Sequence, residues 1–208
     1  MWNFKPQETK KIPSKIIEYN KKFIQDFNVH DSEMFHTMLD EESAYTEFPE
    51  LKEVLSLIPQ WIMKADLGRL LIIYYKGGFY CDVDCFIKKE IPLENHQVYL
   101  FQEKMVSSLS VLGNRECKDH EKYKQRIANY FFGTRTCKNE FIKRCIMEAI
   151  RRLQLLLKEK NTVYRHTDIL WCCGPDVITT IYHQSDDTDT IQVYDESYLH
   201  HICLSSWR

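Results

Sequence analysis

Two aspartates one residue apart, Asp82 and Asp84, are the residues in this sequence whose type and spacing most directly suggest chemistry. They follow the apolar run FYC, which is preceded by Gly77 and Gly78. If this run is a strand, side chains at alternate positions project to the same side, so both carboxylates would face one point. A divalent cation such as Mg²⁺ or Mn²⁺ would neutralise their repulsion and would complete its coordination with water and substrate phosphates. The pattern therefore predicts a site for a metal ion and a diphosphate.

Other interpretations of the acidic pair exist. A lone Asp-x-Asp is more often a solvated turn, but this pair ends a segment expected to enter the core, and α/β sheets bind ligands at the carboxyl ends of strands. A calcium-binding EF-hand loop starting at Asp82 would need glycine and glutamate where Ile87 and Leu93 stand, which excludes it. A phosphohydrolase of the haloacid dehalogenase kind, with Asp82 as nucleophile, stays open, although a strand-like segment follows instead of the usual helix.

A helix is predicted directly before the acidic pair, in the segment PQWIMKADLGRLLIIYYKGG. Its apolar residues at near-helical spacing are Ile62, Ala65, Leu70, Ile73 and Tyr74. Pro59 lies near the predicted start and Gly77 at the predicted end, which are the positions that suit these residue types. We therefore expect a helix that leads into the strand carrying Asp82 and Asp84.

The remaining segments alternate between strand-like and helix-like patterns. IPSKIIEY predicts a first strand, residues 20–58 a polar helical region, and KKEIPLENHQVYLFQEK further strands with a turn near Pro92. The segment NEFIKRCIMEAIRRLQLLLKEK predicts an amphipathic helix, whose apolar face comprises Phe141, Ile142, Cys145, Ile146, Ala149, Ile150 and Leu153. This alternation predicts an α/β fold.

Composition limits the function classes. The 208 residues fit one domain (1–208), and 44% hydrophobic with 28% charged residues is typical of a soluble globular protein. No run reaches the roughly 18 apolar residues of a membrane helix, and the N-terminus lacks the apolar core of a secretory signal, which predicts a cytoplasmic location. A net charge of −2 gives no electrostatic basis for binding nucleic acid. The eight cysteines, with Cys81 and Cys85 beside the acidic pair, are expected to be reduced and mostly buried.

The block KADLGRLLIIYYKGGFYCDVDC resembles the signature of the DxD sugar transferases of glycosyltransferase family 32, which includes bacterial capsular and yeast-type mannosyl transferases. That signature is an alanine, Asp-x-x-Arg on a helix, a leucine-rich turn, Gly-Gly-x-Tyr and Asp-x-Asp. The matching residues of this chain are Ala65, Asp66, Arg69, Gly77, Gly78, Tyr80, Asp82 and Asp84. Eight matches at fixed spacing are far more specific than a lone Asp-x-Asp.

Weaker matches extend the resemblance over nearly the whole chain, with residues 20–58 matching least. IPSKIIEY is similar to the family's opening strand, which would bring Ile17 and Tyr19 to the nucleotide. NYFFGTRT resembles the segment in which an asparagine, here Asn129, approaches the donor sugar. CGPDVIT resembles a turn near the active site, so the resemblance places Gly174 and Pro175 there.

The C-terminal segment HHICLSSW is similar to the tail that closes the site in this family, here residues 195–208. The resemblance implies that a histidine of this tail joins the metal ion or the diphosphate. His201 is favoured over His200, and both stay candidates. Ser206 and Trp207 complete the similarity.

The fold implied by the resemblance is a single Rossmann-like domain of the GT-A type, with a mixed, mostly parallel sheet flanked by helices. The implied site is centred on residues 61–86. Asp82 and Asp84 would hold Mn²⁺ or Mg²⁺, and Asp66, Arg69 and Asn129 would act at the donor sugar. The remaining contacts to the donor would come from Gly77, Gly78, Tyr80 and Val83.

The implied reaction is transfer of a sugar, with retained configuration, from a nucleotide-sugar to a glycan or glycoprotein acceptor. A UDP-sugar is favoured over a GDP-sugar. A small bacterial or viral enzyme is expected, which would act in the host cytoplasm if viral. A sugar-binding module without catalysis is a further alternative, against which the intact set of Asp66, Arg69, Asp82 and Asp84 argues.

Overall fold

The computed structural model describes residues 18–20, 22–23, 41–58, 60–82, 84–93, 96–106, 125–159, 164–186 and 189–202. The predicted first strand lies outside these residues except for Glu18 and Tyr19, which are helical rather than extended. The predicted site residues Ile17 and Val83, and the tail residues Ser206 and Trp207, also lie outside them.

The described helices are α1 (Glu41–Glu47), α2 (Leu51–Leu57), α3 (Trp61–Lys76), α4 (Glu140–Lys158), α5 (His166–Cys172) and α6 (Pro175–His183). Apolar periodicity predicts α3 and α4, and α1 and α2 lie in the region expected to be helical, whereas no helix is predicted from the sequence for the segments of α5 and α6. The predicted apolar face of α4 is buried at every position. Helix α3 ends at Gly77, and Gly77 and Gly78 have φ values of +67° and +79°, a left-handed conformation that glycine adopts without steric cost.

The strands are β1 (Gly78–Cys81), β2 (Cys85–Ile87), β3 (Val98–Met105), β4 (Gln125–Ile127), β5 (Phe131–Thr134), β6 (Ile191–Tyr194) and β7 (Leu199–His201). One sheet has the order β1-β5-β3-β4 with β6 on β3, and β2 pairs with β7 in a separate two-stranded sheet. The mixed α/β architecture is confirmed. The prediction of a mostly parallel sheet is wrong for the described strands, because only β3 and β6 pair in parallel. Apolar strand patterns carry no information on strand direction, so the sequence could not reveal this.

Strand β3 separates two parts of the core. Val98 and Leu100 pack with the helices, whereas Tyr99 and Phe101 pack on the other face, towards β2 and β7. Alternation of side chains along a strand explains this division. None of the helices in the described part of the chain is long and apolar enough to cross a membrane.

The strands β4 and β5 run antiparallel to β3 along its two halves, and residues 128–130 connect them. We call these residues the β4–β5 connection. The register passes from Tyr99 opposite Gly133 to Gln102 opposite Ile127, so the β4–β5 side carries extra residues here. Extra residues on one strand interrupt pairing and redirect backbone groups, a common arrangement beside active sites.

Candidate metal and sugar site

The acidic pair lies in the turn between β1 and β2. Strand β1 ends at Cys81, and the N–H of Cys85 donates to the carbonyl of Asp82 at 3.1 Å. The prediction that both aspartates continue one strand is therefore wrong. Aspartate is disfavoured in strands and favoured in turns, because its side chain competes for backbone hydrogen bonds.

The two carboxylates converge nonetheless, with help from β7. One ligand atom each from Asp82, Asp84 and His201 lies within 4.8 Å of the others, and Nε2 of His201 is 3.2 Å from Oδ1 of Asp84. Strand β7 pairs with β2 so that His201 lies opposite Cys85 and His200 opposite Phe86. Because side chains alternate, His200 is exposed on the other face and is not part of this group, contrary to its inclusion among the predicted ligands.

His201 lies in a region of negative charge. Burial disfavours its charged form, but the hydrogen bond and charge of Asp84, with the charges of Asp82 and Glu103, outweigh this and raise the pKa of His201. The ring of Tyr130 stacks on the imidazole with centroids 4.0 Å apart. Carboxylate oxygens and an imidazole nitrogen form a donor set that suits Mn²⁺, and oxygen-only ligation by the aspartates suits Mg²⁺. The residues therefore fit a divalent cation.

Arg69 connects this group to a polar cluster on α3. Its Nη2 lies 2.9 Å from Oδ1 of Asp66, and its Nη1 donates to the carbonyl of Asn129 at 2.8 Å and lies 3.4 Å from Oδ1 of Asp82. Both Asp66 and Arg69 are buried, so the alternative of a weak ion pair on the helix surface is excluded. Arg69 thus holds carboxylates from α3 and from the turn in fixed relative positions.

Tyr80 supports the same arrangement from β1. Its ring lies under the Arg69 guanidinium at 4.5 Å, and its hydroxyl donates to Oδ1 of Asp82 at 2.5 Å. Burial raises the pKa of Tyr80, against the opposing effect of Arg69, and the charge of Asp82 raises it further. The phenol therefore stays protonated and keeps donating to Asp82.

Asp66 is the most deeply buried carboxylate of the cluster. Burial raises its pKa to about 6, because desolvation outweighs the charge of Arg69, and the charge of Asp82 adds to the rise. The Asn129 side-chain amide is 3.3 Å from Oδ1 of Asp66, and the Cys173 thiol is 3.8 Å from Oδ2. These short polar side chains present the kind of groups that bind sugar hydroxyls.

The predicted glycines have structural requirements of their own. A Cβ on Gly174 would lie 2.8 Å from the Cα of Leu170, so the close packing of α5 and α6 requires glycine there. Pro175 is the first residue of α6, where its missing N–H is tolerated. Both follow Cys173, which contacts Asp66. A Cβ on Gly77 would lie 3.2 Å from the backbone of Thr136 and Cys137, and any other residue would also be strained at this positive φ.

Tyr19, the aromatic residue predicted near the nucleotide base, is exposed beside the two-stranded sheet. Its ring meets Phe86 edge-on at 5.7 Å and Phe23 at 5.5 Å. Asn20 attaches this segment to β2, since its side chain donates to the carbonyl of Cys85 and accepts from the N–H of Ile87, each at 3.0 Å. The segment with Tyr19 and Asn20 is thus bonded directly to the strand that follows Asp84.

Sequence reasoning missed Asn20 and Tyr130. A lone asparagine in a polar region carries no periodic signal, and its bidentate contact with β2 becomes visible only in the fold. Tyr130 adjoins the predicted Asn129, and its carbonyl accepts from the N–H of Asp82 at 2.8 Å. Its position next to a predicted site residue was the only available signal.

Comparison with known proteins gives consistent findings. Residues 6–106 match the family model described as a glycosyltransferase sugar-binding region containing a DXD motif. A stretch of 43 residues, 21% of this chain and 11% of the relative, is 37% identical to an initiation-specific alpha-1,6-mannosyltransferase of Candida albicans. The solved structure of the PaToxG glycosyltransferase is similar with a TM-score of 0.55 and 18% identity, over 86% of this chain and 65% of that one.

These similarities confirm the predicted resemblance to DXD-containing glycosyltransferases. They also show that the chain shares its fold with that solved structure. The matched stretch spans about a tenth of the curated relative's length, and the chain covers slightly less than two thirds of the solved chain.

Proposed function

From the match of residues 6–106 to a glycosyltransferase region with a DXD motif, we propose that this protein is a metal-dependent glycosyltransferase. It transfers a sugar from a nucleoside-diphosphate sugar, a UDP-sugar in preference to a GDP-sugar, to a glycan or glycoprotein, with retention of configuration. A single-domain enzyme acting in the cytoplasm, the host cytoplasm if the protein is viral, stays part of the proposal.

One observation carries this proposal. The ligand atoms of Asp82, Asp84 and His201 lie within 4.8 Å of one another, directly beside the cluster of Asp66 and Arg69. A sugar nucleotide needs both parts, because its diphosphate is anionic and its sugar is a neutral polyol. The group of Asp82, Asp84 and His201 supplies a cation site for the diphosphate, and the cluster of Asp66 and Arg69 supplies hydrogen-bonding groups for the sugar.

The roles of the residues follow from their contacts. Asp82 and Asp84 would hold Mn²⁺ or Mg²⁺ with His201, and the bound ion would stabilise negative charge on the departing diphosphate. Arg69 and Tyr80 keep Asp82 oriented through Oδ1. Asp66 and the Asn129 amide would accept from and donate to sugar hydroxyls, in a site where burial strengthens each hydrogen bond.

The phosphohydrolase alternative receives no support. Oδ1 of Asp82 accepts from Tyr80 and lies 3.4 Å from Arg69, so a nucleophilic attack would have to come from Oδ2. Strand β2, not a helix, follows the acidic pair. Trapping of an aspartyl-phosphate at Asp82 would reverse this assessment.

The first test is thermal unfolding with Mn²⁺ and a panel of UDP-, GDP-, TDP- and CMP-sugars. A ligand at 100 times its dissociation constant adds about 2.7 kcal/mol to stability, which moves the midpoint by several degrees in a domain of this size. We expect a metal-dependent shift with one nucleotide, and its loss in Asp84→Ala.

A matched pair of variants controls this test. His201→Ala should reduce the metal-dependent shift, whereas His200→Ala, on the exposed face of the same strand, should leave it unchanged. No shift with any sugar nucleotide in folded wild-type protein would contradict the proposal. A shift with a glycan alone, without metal or nucleotide, would instead indicate a sugar-binding module.

A further inference from the structure

The β4–β5 connection supports the candidate site through backbone groups. The carbonyl of Asn129 accepts from Arg69, and the carbonyl of Tyr130 accepts from the N–H of Asp82, both at 2.8 Å. A small displacement of this connection would therefore move the guanidinium and the acidic turn together. The contacts that fix residues 128–130 therefore affect the positions of both Arg69 and the turn with Asp82.

One end of the β4–β5 connection continues into β5, within the sheet, and the other into the three-residue strand β4. Among the described strands β4 pairs only with β3, and its other edge contacts α6. The N–H of Ile127 donates to the hydroxyl of Thr179 at 3.0 Å, and the carbonyl of Gln125 is 2.9 Å from Nε2 of His183. Side chains of α6 thus satisfy backbone groups that an edge strand would otherwise leave unpaired.

The residue between these two contacts, Arg126, adds an ion pair with α6. Its Nη2 lies 3.3 Å from Oδ1 of Asp176 in the first turn of α6, and its Nε lies 3.0 Å from Oε2 of Glu103 on β3. Arg126 and Asp176 are almost fully buried. Breaking a buried pair by removing one partner leaves an uncompensated charge and is strongly destabilising.

We infer that Arg126 and Asp176 are positioning residues for the candidate site, because their ion pair holds β4 on α6 and so fixes the β4–β5 connection. Neither residue is itself among the groups assigned to the metal or the sugar. They act through the carbonyls of Asn129 and Tyr130. The importance of this positioning for sugar transfer rests on the proposed function, whereas the mechanical coupling does not.

The chain offers a matched control in Arg152, which is equally buried. Its guanidinium contacts Glu148, the carbonyl of Trp171 and the hydroxyl of Thr180, which connects α4 with α5 and α6. Its charge also reaches Asp176. Loss of Arg152 therefore removes a buried arginine next to α6 without removing a contact to β4.

The test is amide hydrogen exchange on ligand-free wild type, Arg126→Gln and Arg152→Gln. In Arg126→Gln we expect exchange about tenfold faster or more in peptides covering residues 78–85 and 126–132, because loss of the pair lets these segments open locally. In Arg152→Gln the increase should fall on α4, α5 and α6, with exchange at residues 78–85 unchanged. Equal profiles in the two variants, or unchanged exchange at 78–85 in Arg126→Gln, would overturn the inference.

Should Arg126→Gln fail to fold, Asp176→Asn is compared with Arg152→Gln in the same way, since it preserves shape and removes the carboxylate charge. A second arm measures the affinity for UDP and for a UDP-sugar with Mn²⁺. The Arg126 variant should lose affinity for the sugar nucleotide at least several-fold more than for UDP. If wild type binds neither, the proposed function fails, and the exchange data still decide the coupling.

Discussion

Two buried aspartate–arginine pairs occur in this protein, and they differ in how they are built. Asp66 and Arg69 are 5% and 7% exposed and lie one turn apart on α3, whereas Asp176 and Arg126 are 1% and 2% exposed and join α6 to β4. Burial raises the pKa of both carboxyls, to about 6 for Asp66 and about 7 for Asp176, in spite of the adjacent arginines. Burial thus shifts the pKa of both carboxyls in the same direction.

Their surroundings give them different roles. Arg69 also contacts Asp82, which faces the candidate cation site, so this pair lies where a ligand would bind. Arg126 contacts Glu103 and Asp176, which belong to β3 and α6, so that pair holds elements of the fold together. A buried ion pair is therefore no evidence of function by itself, and the groups around it decide what it does.

The largest expected difference between the pairs is in activity. Arg69→Gln should lower kcat/KM for sugar transfer about 10²–10³-fold, comparable to removal of one preorganised donor from an active site. Arg126→Gln should have a smaller effect, since it acts through the β4–β5 connection. Arg69→Lys should not restore activity, because an ammonium cannot reproduce the planar contacts to Asp66 and Asp82. Equal losses for Arg69→Gln and Arg126→Gln would remove the distinction between the pairs.

The second pair should dominate the pH dependence of stability. The pKa of Asp176 is raised in the folded state, so between about pH 4 and 7 the folded protein binds more protons and the free energy of unfolding falls as pH rises, by at most about 4 kcal/mol. Asp176→Asn should flatten this slope. Urea unfolding of wild type and variant at pH 4.5, 6 and 7.5 measures this slope. An unchanged slope in the variant would show that folding does not raise the pKa of Asp176.

Asp66, of the first pair, should contribute a smaller part of that pH dependence, and at lower pH than Asp176. The folded-state pKa of Asp66 is about 6, so its stabilising contribution is present below about pH 4 and is lost by about pH 6, with at most about 3 kcal/mol. Asp66→Asn should therefore change the slope only in the lower part of the range. The same unfolding series checks this, and a change confined to pH values above 6 would contradict it.

The smallest effect should come from a neighbour that only the first pair has. The Cys173 thiol lowers the pKa of Asp66, so Cys173→Ala should raise that pKa further and cost about 1 kcal/mol of stability. Cys172→Ala is the matched control, because Cys172 is equally buried and contacts the carbonyl of Ile169. If both alanine variants shift the pH dependence equally, the contact between Cys173 and Asp66 is not its cause.

Much of the first pair could be read from the sequence. The spacing of Asp66 and Arg69 fits one turn of a helix, and the block from Ala65 to Asp84 carries enough matches to predict a sugar-transferase resemblance, which the comparisons confirm. The second pair gave no such signal. Arg126 and Asp176 lie on elements far apart in the chain, and nothing in either local pattern indicates that they meet.

The sequence by itself determined the helices α3 and α4, the glycine turn at Gly77 and Gly78, and the presence of an acidic pair after a strand. These features depend on periodicity, glycine conformation and turn chemistry, which act over a few residues. Only the tertiary structure decided that the pair lies in a turn, that His201 and not His200 reaches it, and that the described sheet is mainly antiparallel. Those outcomes depend on strand register and on packing between distant segments, where a shift of one residue exchanges the two faces of a strand.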